Sequence, residues 1–499
     1  MDLDKRETAE KPEDEGKMAA AAPETDKTTK RIVWLLIVIG GLFMALILYL
    51  TYFKLAVGDS IVNNAYNRRQ WEKENSTLRG SITDRNGVVL AKSNIKNGKS
   101  ERIYPFGSMY SQLIGYNSRA YGRTLLEAAY NDYLLGNTGV GSVFNIAPGL
   151  QGEKSGNSLE LTIDHRLQKK ASSLMEGKQG AVVAINPTTG DILAMVSKPD
   201  FDPNGSSLSD KWQELVESEL HPFFPRATQG LYAPGSTFKM VTAAAAIESG
   251  LGDTKYKDTG SIAIDGKVFS NSGNKAYGDL DLKHAFAVSS NVFFAGLGVE
   301  LGSNPVRSIA EKMGMNKQVP FDLSLKRSVY PENDGGMTKA DMAASAIGQG
   351  KVLVTPLQLT LVTAAMANDG VVMEPRVVSR ILAPNGAVVK KFAPTVYSRA
   401  VDADTAEEIA AAMREVVVSG TGKKAAVSGV KVAGKTGTAQ NELTGKEKSS
   451  EHAWFTGFAP YENPRIAVTV ILEYNGSTGG EAAAPIAAKL IKDYLGYAK

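Results

Sequence analysis

The longest apolar run in the chain covers residues 32–53, IVWLLIVIGGLFMALILYLTYF, and holds no charge. A hydrocarbon core of about 30 Å needs roughly 20 such residues to be crossed as a helix. A removable signal would show a shorter apolar stretch and a small-residue cleavage site, and neither is present. The run predicts a retained transmembrane anchor. Lys27, Lys30 and Arg31 directly precede it, whereas Lys54, Arg68, Arg69 and Lys73 follow at greater reach. The nearer cluster sets the N-terminus on the cytoplasmic side. Residues 1–31, rich in Ala, Glu and Lys, predict a disordered tail. No later run is long and apolar enough to cross again, so everything after Phe53 is expected on the outer face.

Beyond the anchor, the patterning divides at about residue 158. Residues 54–158 read as a small β-rich domain, clearest in RGSITDRNGVVLA (79–91), where alternating apolar positions flank a turn at Asp84-Arg85-Asn86-Gly87. Asn-Gly is a strong hairpin signal. The glycine-rich run 149–156 reads as a linker. Residues 161–175 carry helical spacing, with Thr162 or Asp164 as cap. Strand patterns follow at 181–186 and 191–197. The chain then reads as mostly helical to about Met413, for example over 241–249 and 341–347. Strands return at 430–439, 452–459 and 465–473, and a helix over 482–495 closes the pattern. Two early strands and three late ones predict one antiparallel sheet with a helical insertion, an α+β fold over residues 159–499.

Composition narrows the chemistry. The 499 residues contain no cysteine, which excludes disulfides, thiolate metal sites and a thiol nucleophile. The four histidines, at 165, 221, 284 and 452, show no i, i+3 or i, i+4 pairing, so no metal site is expected. A formal net charge of +3 gives no nucleic-acid signature.

Three short motifs carry the candidate chemistry. Ser236 and Lys239 lie three apart in PGSTFK, at the start of a helical run, and such positions share a helix face. A serine hydroxyl needs a base to become a nucleophile, and a lysine amine can serve if burial and nearby positive charge depress its pKa. A helix start also offers free N–H groups to an oxyanion. Ser289-Ser290-Asn291 sets polar residues inside the apolar run AFAVSSNVFF. Lys435-Thr436-Gly437-Thr438 lies in the alternating segment VKVAGKTGTAQ, with Lys435 and Gly437 facing one way and the threonines the other. Gly437 is expected to let a substrate backbone approach the strand edge. S-x-x-K alone is common; S-x-x-K, S-D-N and K-T-G in this order are the signature of penicillin-binding proteins and class A β-lactamases, and the middle motif here reads S-S-N.

With these motifs, the chain after the anchor resembles a class B penicillin-binding protein. RGSITDRNGVVLA, Tyr104-Pro105-Phe106-Gly107, the segment 121–136 and Gly348-Gln349-Gly350 are similar to further elements of that family. The middle motif has Ser290 where the β-lactamase form has Asp, which weakens the class A β-lactamase reading. The resemblance implies a penicillin-binding transpeptidase fold: an antiparallel sheet with helices on both sides, behind a small pedestal domain and one transmembrane helix. It implies peptidoglycan D,D-transpeptidation through a serine acyl-enzyme, without cofactor, and sensitivity to β-lactams. Ser236 is then the nucleophile and Lys239 its base, kept neutral partly by Lys435. Ser289 relays a proton to the leaving group, and Asn291 orients Lys239 and the donor peptide. Thr436, Gly437, Thr438 and Ser290 are assigned to substrate binding, with Lys435 beside the threonines at the terminal carboxylate. The N–H groups of Ser236 and Thr438 form the oxyanion hole. Implied partners are stem peptides on lipid-linked nascent glycan, the membrane, and a SEDS-type polymerase docking on residues 54–158.

Rival readings are a D,D-carboxypeptidase or anchored β-lactamase on the same site, and a non-catalytic scaffold of a wall-synthesis complex. Residues 429–436 also match G-x-x-x-x-G-K-[ST] letter for letter. Their interior alternates as a strand and no helix pattern follows, so a phosphate-binding loop is not expected.

Overall fold

A computed structural model describes residues 25–54, 77–96, 99–137, 154–331, 336–440 and 451–497. The chain divides into two compact units, residues 1–63 and 64–499. In the first, helix α1 (Thr25–Tyr52) contains the apolar run. Its 24 residues from Thr29 to Tyr52 rise about 36 Å, enough for a bilayer core. The helix begins earlier than the apolar pattern does. Residues 25–31 belong to it, not to the tail expected there, because nothing in TDKTTKR breaks a helix; residues 1–24 lie outside the described residues.

The second unit contains two main sheets. One has six strands in the order 388–391, 378–382, 158–161, 82–83, 89–96, 99–103. The 82–83 and 89–96 strands form the hairpin that Asn-Gly predicts, and Asp84 Oδ1 accepts from the N–H groups of Asn86 and Val88 at 2.8 Å. The strand Ser158–Leu161 pairs with Ile82–Thr83 on one side and Val378–Leu382 on the other, so the early region and the later chain share this sheet. Of the glycine-rich run, residues 149–153 lie outside the described residues, and Lys154–Ser155 pairs with Thr77–Leu78. Glu127, fully buried, lies 2.6 Å from Arg79 Nε and 2.7 Å from Arg102 Nε, tying segments 79, 102 and 127 together.

The remaining elements, in chain order, build the larger core. Helix α2 (His165–Leu174) starts at Asp164, whose carboxylate accepts from the N–H groups of Arg166 and Leu167. Strands β1 (Gly180–Ile185) and β2 (Ile192–Lys198) follow. Next come helices α3 (Lys239–Glu248), α4 (Leu282–Val288) and α5 (Asn291–Leu301). Strands β3 (Ala433–Ala439), β4 (His452–Ala459) and β5 (Ile466–Leu472) precede helix α6 (Ala484–Tyr497). The five strands form one antiparallel sheet in the order β2-β1-β5-β4-β3.

Side-chain alternation splits that sheet between two cores. Val182, Ala184, Val468 and Val470 pack with Leu167, Ala171, Leu490 and Ile491 from α2 and α6. Ala181, Val183 and Ile185 face the other way, onto the larger cluster that holds Met240, Phe286, Phe293 and Leu361. Helices therefore cover both faces, and strands this apolar read as continuous runs. The insertion departs from its mostly helical expectation. Between residues 255 and 281 it forms four short strands in two hairpin-like pairs, 255–258 with 278–281 and 261–264 with 267–270.

Candidate active site

Ser236 sits in a single 3₁₀ turn, Gly235–Phe238, which runs directly into α3 at Lys239. With three residues per turn, positions i and i+3 eclipse, so the backbone brings Ser236 and Lys239 to one side. The turn is fixed from two directions. Gly235 donates its N–H to Gly348 O at 2.9 Å, and a Cβ on Gly348 would meet Gly235 O at 2.1 Å. On the other side, a Cβ on Gly437 would meet Pro234 O at 2.9 Å and Thr237 Cγ2 at 3.0 Å. The missing side chain of Gly437 thus makes room for the turn that carries Ser236. Ser236 is half-buried, and its hydroxyl makes no hydrogen bond among the described residues.

Lys239 is completely buried. Its Nζ donates to Ser289 O and to Asn291 Oδ1, both at 2.8 Å, and approaches Ser289 Oγ at 3.3 Å. Lys435, also completely buried, donates to the same Ser289 Oγ at 2.8 Å and to Thr436 O at 3.2 Å. The rings of Phe294 and Phe286 lie 5.4 Å from Lys239 Nζ and Lys435 Nζ respectively. Burial drives the Lys239 pKa well below the usual lysine value, with the Lys435 charge adding to the fall and Asp258 opposing it. Burial likewise lowers Lys435 to about 7. Neutral amines are therefore accessible at physiological pH.

The Ser-Ser-Asn motif is the break between two helices. α4 ends at Val288, and Ser289 takes φ 61°, ψ 42°, a left-handed conformation that costs a non-glycine residue about 1–2 kcal/mol. That reversal turns both its carbonyl and its hydroxyl toward the lysines. Ser290 caps α5, accepting from Phe293 N–H at 2.9 Å, and donates to Asp258 Oδ2 at 2.5 Å. It is fully buried, so its assignment to substrate binding is wrong: its hydroxyl points away from the cleft because the start of α5 and a carboxylate occupy it. Asn291 Nδ2 donates to Ser270 O at 2.8 Å, which leaves its Oδ1 for Lys239.

On β3, alternation holds as expected. The Thr436 hydroxyl shares a 2.6 Å hydrogen bond with that of Thr421, just past the helix Ala403–Val418. Thr438 is half-buried, and its carbonyl lies within 2.8 Å of where a Gly235 Cβ would stand. Residues 429–432 precede the strand; β3 runs to Ala439, and residues 441–450 lie outside the described residues. Ser236, Lys239, Ser289, Asn291, Lys435 and Thr438 thus come from three distant segments to one place. Sequence reasoning missed Asp258, Asn271, Ser270 and Thr421. No motif marks them, since each lies in a short exposed-looking strand or loop. No cluster of three or more His, Asp or Glu suited to a metal occurs among the described residues.

Comparison with known proteins agrees with this arrangement. Residues 180–492 match the penicillin binding protein transpeptidase domain, and residues 79–159 the penicillin binding protein A dimerisation domain. The chain is 32% identical to the peptidoglycan D,D-transpeptidase PbpA of Mycolicibacterium smegmatis, over 89% of this chain and 94% of that protein. It is 33% identical to MrdA of Acinetobacter baumannii, covering 79% and 66%. Among solved structures, it resembles penicillin-binding protein A from M. tuberculosis in a cephalosporin acyl-enzyme complex, with TM-score 0.78, 30% identity, and 85% and 99% coverage. A D,D-transpeptidase domain from Eggerthella lenta gives TM-score 0.75 at 34% identity, covering 84% and 99%.

Proposed function

The chain belongs to the class B penicillin-binding proteins, and from that membership we propose that it cross-links peptidoglycan stem peptides through an acyl-enzyme on Ser236. It is a peptidoglycan D,D-transpeptidase and a β-lactam target. The observation that carries the residue assignment is the shared network in which Lys239 and Lys435 both meet Ser289.

Ser236 Oγ attacks the penultimate D-Ala carbonyl while neutral Lys239 takes its proton. The N–H groups of Ser236 and Thr438 hold the oxyanion. The C–N bond then breaks, and the departing D-alanine amine receives a proton through Ser289 from the lysine pair. Lys435, Thr436 and Thr438 hold the terminal carboxylate of the donor. In the second half, the amine of an acceptor stem peptide attacks the ester and loses its proton to Lys239; the ester C–O bond breaks and Lys239 passes that proton to the departing Ser236 Oγ. Covalent labelling by a fluorescent penicillin, retained for hours and lost in Ser236→Ala, is the expected result. Rapid release of label would instead make the protein a β-lactamase.

Helix α1 anchors the protein, with the N-terminus cytoplasmic and the catalytic unit extracytoplasmic. Glycan polymerisation falls to a SEDS-type partner docked on residues 54–158. Deletion of those residues should abolish co-purification with the polymerase; unchanged co-purification would refute the docking role.

A further inference from the structure

Asp258 ends the short strand Lys255–Asp258 and is 1% exposed. Its carboxylate accepts from Gly260 N–H at 2.8 Å, from Asn271 Nδ2 at 2.8 Å on both oxygens, and from Ser290 Oγ at 2.5 Å. It forms no ion pair among the described residues. A buried carboxylate held only by neutral donors is costly unless a charge nearby repays it. The charge that faces it from the cleft is the buried ammonium of Lys239 from α3, which in turn feels that of Lys435 from β3. Asp258 also faces the Tyr277 phenol, whose pKa is raised first by burial and then by the Asp258 charge, with the Lys275 ammonium 5.0 Å from that ring.

Asn271 extends the connection. Its Oδ1 accepts from the N–H groups of Asn291 at 2.7 Å and Val292 at 3.2 Å. Asp258 therefore grips the S-S-N turn twice: through Ser290, and through Asn271 onto the backbone of the residue that orients Lys239. In the S-D-N form of this motif the carboxylate belongs to the middle residue. Here the middle residue is Ser290, and a carboxylate reaches the same turn from 32 positions upstream.

We infer that Asp258 is the counter-charge of the lysine pair and the positioning residue of the S-S-N turn, its one negative charge balancing one ammonium shared between Lys239 and Lys435. With one lysine charged, the buried group is neutral, and Lys435 can meet a substrate carboxylate while Lys239 acts as base. The inference rests on the acyl-enzyme reading above and deepens it. Asp258 touches no substrate; it acts through Ser290, Asn271 and Asn291.

The test is the rate of acylation of the full chain in detergent by benzylpenicillin, followed from about pH 5 to about pH 10. The negative charge of Asp258 holds a proton on the lysines, so its removal lets that proton leave at lower pH. Asp258→Asn should move the acid limb down by about 1 pH unit and lower the plateau about tenfold. The exchange Asp258→Ser with Ser290→Asp returns the carboxylate to the middle position and should restore the wild-type limb. It also reads the charge effect if Asp258→Asn does not fold. A plateau that falls with an unmoved limb would reduce Asp258 to a structural role and overturn the inference. So would an exchange variant whose limb stays displaced. Wild-type protein that is not acylated at Ser236 at all would overturn the acyl-enzyme reading itself.

Discussion

Lys435 Nζ donates to Ser289 Oγ at 2.8 Å, across 146 positions of sequence, and that hydroxyl also lies 3.3 Å from Lys239 Nζ. One serine thus touches both buried amines of the cleft. Its position depends on the left-handed backbone at the end of α4. Ser289→Gly should relieve about 1 kcal/mol of strain while removing the bridge. We expect thermal stability unchanged or raised, with penicillin acylation reduced about 10²-fold. A glycine variant that acylates at the wild-type rate would remove Ser289 from the proton path.

Burial of Lys435 works against the fold at neutral pH. Its pKa falls from an unfolded value near 10.4 to about 7, so the unfolded chain binds more protons between those limits. Stability contributed by this group is therefore present above about pH 10.4 and declines as pH falls toward 7, where the loss levels off. Lys435→Met should raise the melting temperature at pH 7, and the gain should shrink as pH approaches 10. Acylation by penicillin should fall sharply, because the carboxylate loses its cation. A gain independent of pH would show that packing, not titration, accounts for it.

Gly437→Ala places a methyl 2.9 Å from Pro234 O and 3.0 Å from Thr237 Cγ2. Either β3 or the nucleophile turn must move. Overpacking of this kind costs about 1–3 kcal/mol, and a displacement near 1 Å at Ser236 costs about 10²-fold in rate. Acylation kinetics and melting temperature together test this. Loss of both is expected; unchanged acylation would show that the turn tolerates the contact.

Glu127 is the anionic centre of the pedestal, fully buried between Arg79 and Arg102 and also accepting from Tyr104 Oη at 3.2 Å. Glu127→Ala leaves two guanidinium groups without their counter-charge, a loss of about 3–5 kcal/mol. Thermal unfolding of the variant should begin well below that of the wild type. An unaltered melting curve would show that the pedestal does not depend on this cluster.

The sequence carried the catalytic triad of motifs because each is short, ordered and chemically unusual. Polar Ser289–Asn291 within an apolar run and Lys435 within an alternating strand are visible without coordinates. The sheet was equally legible, since β1, β2 and β5 are apolar on both faces and the helices over 239–248 and 484–497 are well patterned. Asp258 and Asn271 were not, because a strand of four residues with exposed lysines on its alternate positions reads as loop. Ser290 misled for a related reason. Sequence position gives no direction to a side chain at a helix start, and the cap at Phe293 N–H fixes it inward. The strands at 378–382 and 388–391 were hidden in a nominally helical span because they complete a sheet begun near residue 82.

The central claim is that the hydroxyl of Ser236 is the acylated group. Intact-mass measurement of the full chain after exposure to benzylpenicillin, followed by peptide mapping, tests it directly. The account predicts a single adduct of one penicillin per chain, on the peptide containing Ser236, absent in Ser236→Ala and strongly slowed in Lys239→Ala. An adduct on any other peptide, or one that persists in Ser236→Ala, would contradict it.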